Sequence, residues 1–269
     1  MNIKINTLLT AVILALLSTG TASFADLNII GAFHDDRTVM PGNRYEGIIL
    51  LRNTDDAPQS VDIKQTDYSF TANGVNDFGI PGSNKRSNAR WISIPVNKVI
   101  IPPKSDISYQ YSVQVPADNT LKGTYWSTIM LIPEVTAPEK KLDASSMGIT
   151  TVFQYCYQVT SQISDSGMIS AKFLNKEIVS SEGKTLLKIG LENNGTRLIT
   201  PTVWAEIFDS TGNNLGKFES QKQRLFPDCS ISSNIDISKV PDGTYKALVI
   251  VDTQLTDPVG AQYDLVITR

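Results

Sequence analysis

The chain has 269 residues, with 24 basic and 27 acidic side chains and a formal charge of −3, so its charge points to neither nucleic acid nor an anionic membrane surface. Hydrophobic residues make up 41%, enough for ordinary cores, which excludes a disordered chain. Two cysteines are too few for a disulfide framework, and a single histidine, His34, argues against a histidine-based triad or metal cluster.

The chain opens with Lys4, the apolar run LLTAVILALL (8–17) and small residues ending at Ser23-Phe24-Ala25. That run is shorter than the roughly 18–20 apolar residues a membrane helix needs. Residues 1–25 are read as a signal peptide cleaved before Asp26, which places the protein in the periplasm or outside a bacterial cell, with no stable membrane span. From there the segments carry the period of strands: YEGIILLRN (45–53), SVDIKQTDYSF (60–70), RWISI (90–94), KVII (98–101), ISYQYSVQV (107–115) and TYWSTIMLI (124–132). Turn punctuation such as PGN, NTDDAP, ANG, GIPGSN and IPPKS separates them. A Pro-, Lys-, Glu- and Ser-rich stretch (133–146) precedes another strand-like run, MGITTVFQYCYQV (147–159), and then the polar break SQISDSG (161–167). The second half continues with KTLLKIGLEN (184–193), ITPTVWAEIFD (199–209), SISSNIDIS (230–238), TYKALVIVD (244–252) and QYDLVIT (262–268). No segment beyond the signal has a 3.6-residue period with helix caps. The expected fold is all-β, two consecutive immunoglobulin-like β-sandwich domains spanning 26–160 and 161–269, with the linker at about 160–167.

The two halves repeat one another. Leu51-Arg52-Asn53 stands opposite Leu191-Glu192-Asn193, IPPKSDISYQYSVQVP opposite FPDCSISSNIDISKVP, and Gly123-Thr124-Tyr125 opposite Gly243-Thr244-Tyr245, all in the same order. Val-Pro ends a strand because proline donates no ladder bond, and the glycine permits a tight corner. Tyr125 and Tyr245, just past that corner, are expected to bury their rings and hold the fold together.

Catalytic patterns are missing. There is no Gly-x-Ser-x-Gly elbow, no Cys-x-x-Cys and no phosphate-cradling glycine loop. The pairs Asp35-Asp36 and Asp55-Asp56 lie in polar, turn-like stretches, and TANGVND (71–77) has too few carboxylates for a calcium loop. A non-enzymatic protein with no cofactor and no metal is expected. Cys156 and Cys229 fit either an exported disulfide or two buried thiols. Trp91, Trp126 and Trp204 sit in strand-like runs, where core packing is the default and an exposed carbohydrate platform the alternative.

Two exported sandwiches of this size, with DDRTVMPGNRYEGIILLRN (35–53) and IPPKSDISYQYSVQVP followed by YWSTIMLIPE, resemble the periplasmic chaperones of chaperone–usher pili. The resemblance covers nearly the whole mature chain, through motifs of low specificity. It implies a pilus-assembly chaperone that binds exported, pilin-like subunits by completing their sheets with a strand edge. It also implies that an arginine on the first strand and a lysine on the last strand of the first domain hold the subunit's terminal carboxylate. Arg37, counted back from Gly42, stands at the arginine position. The lysine is missing, with Thr151 or Gln154 near its place. Met147, Ile149, Thr151, Phe153 and Tyr155 form the alternating face through which partner binding is expected. The alternative reading is a surface or cell-wall module that binds glycan or matrix through Trp91 or Trp126.

Overall fold

The computed structural model describes residues 27–134, 153–181 and 183–268. Ten strands come first: β1 (Leu27–Ile30), β2 (His34–Val39), β3 (Arg44–Asn53), β4 (Gln59–Phe70), β5 (Asn76–Gly79), β6 (Ile92–Ser93), β7 (Lys98–Ile101), β8 (Asp106–Gln114), β9 (Gly123–Pro133) and β10 (Tyr155–Ile163). Seven follow: β11 (Lys172–Ser181), β12 (Lys184–Glu192), β13 (Thr202–Phe208), β14 (Asn214–Glu219), β15 (Ser230–Asp236), β16 (Gly243–Asp252) and β17 (Val259–Ile267). Among the described residues there is no α-helix, only a 3₁₀ turn at Ala89–Trp91, where the expected strand RWISI was to begin.

Two sandwiches result, as the strand periods imply. In the first, the sheet β1-β3-β8-β6 faces the sheet β2-β10-β9-β4, whose far edge is shared by β7 and β5. In the second, β11-β12-β15 faces β14-β13-β16-β17. Alternation decides which side chains go inside. On β3, Ile49 and Leu51 point inward to Val61, Ile63, Ile129, Leu131 and Val159, while Ile48 and Leu50 stay exposed. On β16, Ala247, Val249 and Val251 enter the second core.

β10 runs on to Ile163, through residues that read as a polar break. Its polar side chains are buried and satisfied there: Ser161 Oγ lies 3.2 Å from the Tyr45 hydroxyl and 3.2 Å from Asn88 Nδ2. Four strands escape the sequence reading, namely β1, β5, β11 and β14. β5 (NDFG) and β14 (NLGKFE) carry turn residues, and a bulge between Phe173 and Lys176 interrupts the alternation of β11.

The sequence repeat is a structural one. Asn53 and Asn193 are fully buried, each at the end of its strand. Asn53 Nδ2 donates to Ala57 O (2.8 Å) and Ile101 O (3.1 Å), and Asn193 Nδ2 to Arg197 O (2.7 Å) and Leu225 O (2.8 Å). Each Oδ1 accepts the backbone N–H two residues on, from Asp55 and Gly195 respectively. Lys104 (φ 49°) and Asp228 (φ 59°) take the same left-handed turn at matching positions, a conformation that aspartate adopts more readily than lysine.

The Gly-Thr-Tyr copies have diverged. Gly243 is exposed, and the nearest atoms to a Cβ there would be those of the Tyr245 side chain, its hydroxyl oxygen at 3.0 Å. Gly123 (φ 76°) is pressed against the second sandwich, and a Cβ would lie 2.0 Å from Thr196 O. Thr124 N donates to Thr196 O (2.8 Å), and Leu198 N to Thr124 Oγ1 (2.7 Å). Tyr125 packs on Trp91 at 4.8 Å.

Candidate partner-binding edge

The first strand of the chain changes sheets. β1 pairs with β3, the backbone turns at Gly31 (φ 96°), and β2 then joins the opposite sheet, parallel to β10. The connection between the parallel strands β2 and β10 is the chain from β3 through β9, since no hairpin can join a parallel pair. β2 meets β10 over Gln158–Ile163 only, whereas β9 pairs with β10 from Tyr155 onward. Strand β2 therefore does not pair with Tyr155, Cys156 or Tyr157 of β10.

Aromatic side chains gather at this end. Phe33 and Phe153 are 47% and 59% exposed. Phe33 stacks on Tyr155 with ring centroids 6.2 Å apart, and the Tyr155 hydroxyl donates to Leu27 O. Phe153 lies two residues before Tyr155, ahead of the start of β10. Met147, Ile149 and Thr151 lie outside the described residues.

Arg37 projects from β2, opposite Ser161, and is exposed. Its Nε donates to Asp35 Oδ1 at 2.6 Å, and this bond to the carboxylate raises the guanidinium pKa. The Tyr111 hydroxyl donates to the other oxygen, Asp35 Oδ2, at 2.9 Å. Burial first, and the Asp35 charge second, push the Tyr111 phenol pKa far up, so it stays a donor. Beneath lies Tyr45, raised to about 12 by burial, with the Arg37 guanidinium 5.9 Å from its ring. Arg37 therefore already carries an internal carboxylate.

A second arginine reaches the same place from the second sandwich, and sequence reasoning missed it. Arg224 grips Asp36 with Nη1–Oδ2 at 2.5 Å and Nη2–Oδ1 at 2.8 Å, and Nη2 also donates to Thr160 Oγ1 at 3.2 Å. Burial raises the Asp36 pKa, but the bidentate bonds and charge of Arg224 outweigh it, and the carboxyl sits below its ordinary value of 3.8. His34 Nδ1 lies 3.2 Å from Asp36 Oδ2, an ion-pair distance without hydrogen-bond geometry. The separation of Asp36 and Arg224 along the chain leaves no local pattern that would reveal the pair.

The chain is similar in structure to fimbrial chaperones. One match is to the chaperone–tip adhesin complex of CFA/I fimbriae: 14% identity, 88% of this chain and 98% of that one, TM-score 0.46. The class 5 fimbriae chaperone CfaA matches at 13% identity over 90% of this chain and all of its own, TM-score 0.43. The CsuC–CsuE chaperone–tip adhesion subunit complex of Acinetobacter baumannii Csu pili matches at 8% identity, 88% of this chain and 98% of that one, TM-score 0.43. No family model and no curated protein matches the sequence. Identities this low carry no residue role from one chain to another.

The tryptophans do not form an open platform at the positions considered for glycan. Trp126 is 2% exposed, stacked on Phe226 at 4.8 Å inside the second core, with Nε1 donating to Tyr68 O. Trp91 is half-buried against Tyr125. Cys156 and Cys229 are both free thiols. The Cys156 sulfur lies 3.2 Å from that of Met130, and burial pushes Cys229 up to about 11.

Proposed function

We propose that the protein is a non-enzymatic, exported binding protein that receives an extended segment of another exported protein along β10. The observation that carries this reading is the sheet switch at Gly31, which starts β2 opposite Gln158, so that β2 does not pair with the part of β10 before it. A strand edge offers main-chain donors and acceptors for β-augmentation, and alternate side chains supply the choice of partner. Phe33 and Phe153 offer exposed rings at that end for a partner's apolar residues. Ile149 and Met147 would extend the same alternation upstream. Pilin-like subunits are the partner class that the sequence resemblance names.

The test is binding of a purified pilin-like subunit lacking its own completing strand. Hydrogen exchange on the complex should show new protection at 153–157, and Phe153→Asp or Ile149→Asp should weaken the complex by about tenfold or more. Protection confined to other strands, or a complex indifferent to both substitutions, would sink the reading.

A further inference from the structure

The chain's single histidine, His34, stands at the junction of the two sandwiches. An imidazole is the side chain whose ordinary titration falls between pH 5 and 8. Burial pushes both thiols the other way, Cys156 above its ordinary value and Cys229 to about 11, so neither joins it in that range. His34 and Asp36 are two residues apart on β2 and share a face, while Asp35 turns to the opposite face, toward Arg37 and Tyr111. Asp36 in turn clasps Arg224 of the second sandwich with both of its oxygens. Its Oδ2 has two nitrogens against it, Arg224 Nη1 at 2.5 Å and His34 Nδ1 at 3.2 Å. The His34 side chain is 40% exposed, so the ring exchanges protons with water.

The groups around the imidazole come from three places. Its own strand supplies the Asp36 carboxylate. On β10, Gln158 stands opposite His34 and Thr160 opposite Asp36, both uncharged, and Cys156 on the same face is kept a thiol by burial. The second sandwich supplies Arg224, and Lys222 lines the same cleft as Arg224 and Gln158. One anion from the first sandwich therefore meets cations from the second. That arrangement fixes the sign of a proton's effect. With the clasp closed, an imidazolium stands beside Arg224, two cations around a carboxylate whose charge is already matched. With the clasp open, the cations of the second sandwich withdraw and Asp36 has His34 to itself. The open form therefore binds the proton more tightly, and by linkage the proton favours opening by the same factor.

We propose that His34 is an acid-sensitive release for the Asp36–Arg224 clasp, so that a proton on its imidazole loosens the hold of the two sandwiches on one another. The release needs no bound partner and stands apart from binding at β10. Proton NMR of the full chain reads it directly, because one histidine gives one imidazole titration. Arg224→Gln should raise the proton affinity of His34 about fivefold or more. Arg224→Met, which keeps an apolar stem over Phe226, should do the same, and Arg224→Lys, which keeps the charge, should stay near the wild type. Denaturant unfolding reads the reciprocal effect. The loss in folding equilibrium constant caused by Arg224→Gln should be about threefold smaller at about pH 5.5 than at about pH 7.5, and the same at both in a His34→Gln background. Unchanged titration of His34 in both neutral variants overturns the proposal. So does an Arg224→Gln loss that follows pH equally with and without His34. Circular dichroism of each variant separates a lost clasp from a lost fold.

Discussion

Asn53 and Asn193 each hold a turn that no ladder bond reaches. The Asn53 amide bonds three carbonyls and one backbone N–H, and the Asn193 amide two carbonyls and one backbone N–H, in a place that water does not enter. Asn53→Ala strands those groups and should cost about 2–4 kcal/mol in denaturant unfolding, and Asn193→Ala a similar amount. Asn53→Asp should be no better, since a carboxylate oxygen would replace the donating nitrogen opposite three carbonyls. The Asp36–Arg224 pair makes a different prediction, in pH. The folded Asp36 pKa lies below its ordinary value of 3.8, so the pair's contribution is complete above that pH and disappears as the pH falls through the lower, folded value. Thermal melts across that range should therefore show a shallower acid decline for Asp36→Asn than for the wild type, together with a lower melting temperature at neutral pH.

At the scale of elements, the two Gly-Thr-Tyr corners look equivalent in sequence and are not equivalent in space. The first starts β9 against the second sandwich, and the second starts β16 in solvent. Gly123→Ala places a Cβ 2.0 Å from Thr196 O at a left-handed φ and should cost on the order of 2–4 kcal/mol. Gly243→Ala meets the Tyr245 side chain first and should cost about 1 kcal/mol. Equal losses in chemical denaturation would refute the assignment of Gly123 to the junction. The corners were legible because a strand ending in Val-Pro before Gly-Thr-Tyr is a local device. The central strands were legible for the same reason, since Ile49 and Leu51, or Val249 and Val251, alternate with solvent-facing neighbours. β11 was hidden by its bulge, and β5 and β14 by residues such as Asn and Gly that also make turns. At the candidate edge, Arg37 was picked out only by what the resemblance to pilus chaperones implies, counted back from Gly42. The Asp35 that neutralises it and the Arg224 that arrives from the other sandwich belong to tertiary structure, which no local period encodes.

The whole molecule is held by a junction that mixes aromatic stacking with ion pairs. Trp126 leaves its own sandwich to stack on Phe226, which Phe70 also meets edge-on at 6.3 Å. Arg224 binds Asp36 on one side of this stack, while Arg197 Nη1 binds Asp165 at 2.6 Å near the chain crossing. An exposed ion pair alone contributes little, but burying an indole against a phenyl ring removes a large apolar area from water. Two domains sharing such a side chain should not unfold separately, because opening either exposes Trp126. Calorimetry of the wild type should accordingly show one transition, with the van't Hoff and calorimetric enthalpies equal. Trp126→Leu keeps apolar volume but loses the stack, and Arg224→Ala removes the bidentate bond to Asp36. The double variant should resolve into two transitions, one for each sandwich. If it still melts as one unit, the coupling runs through the backbone contacts of Thr124 with Thr196, and Gly123→Ala should then be the change that separates the two sandwiches.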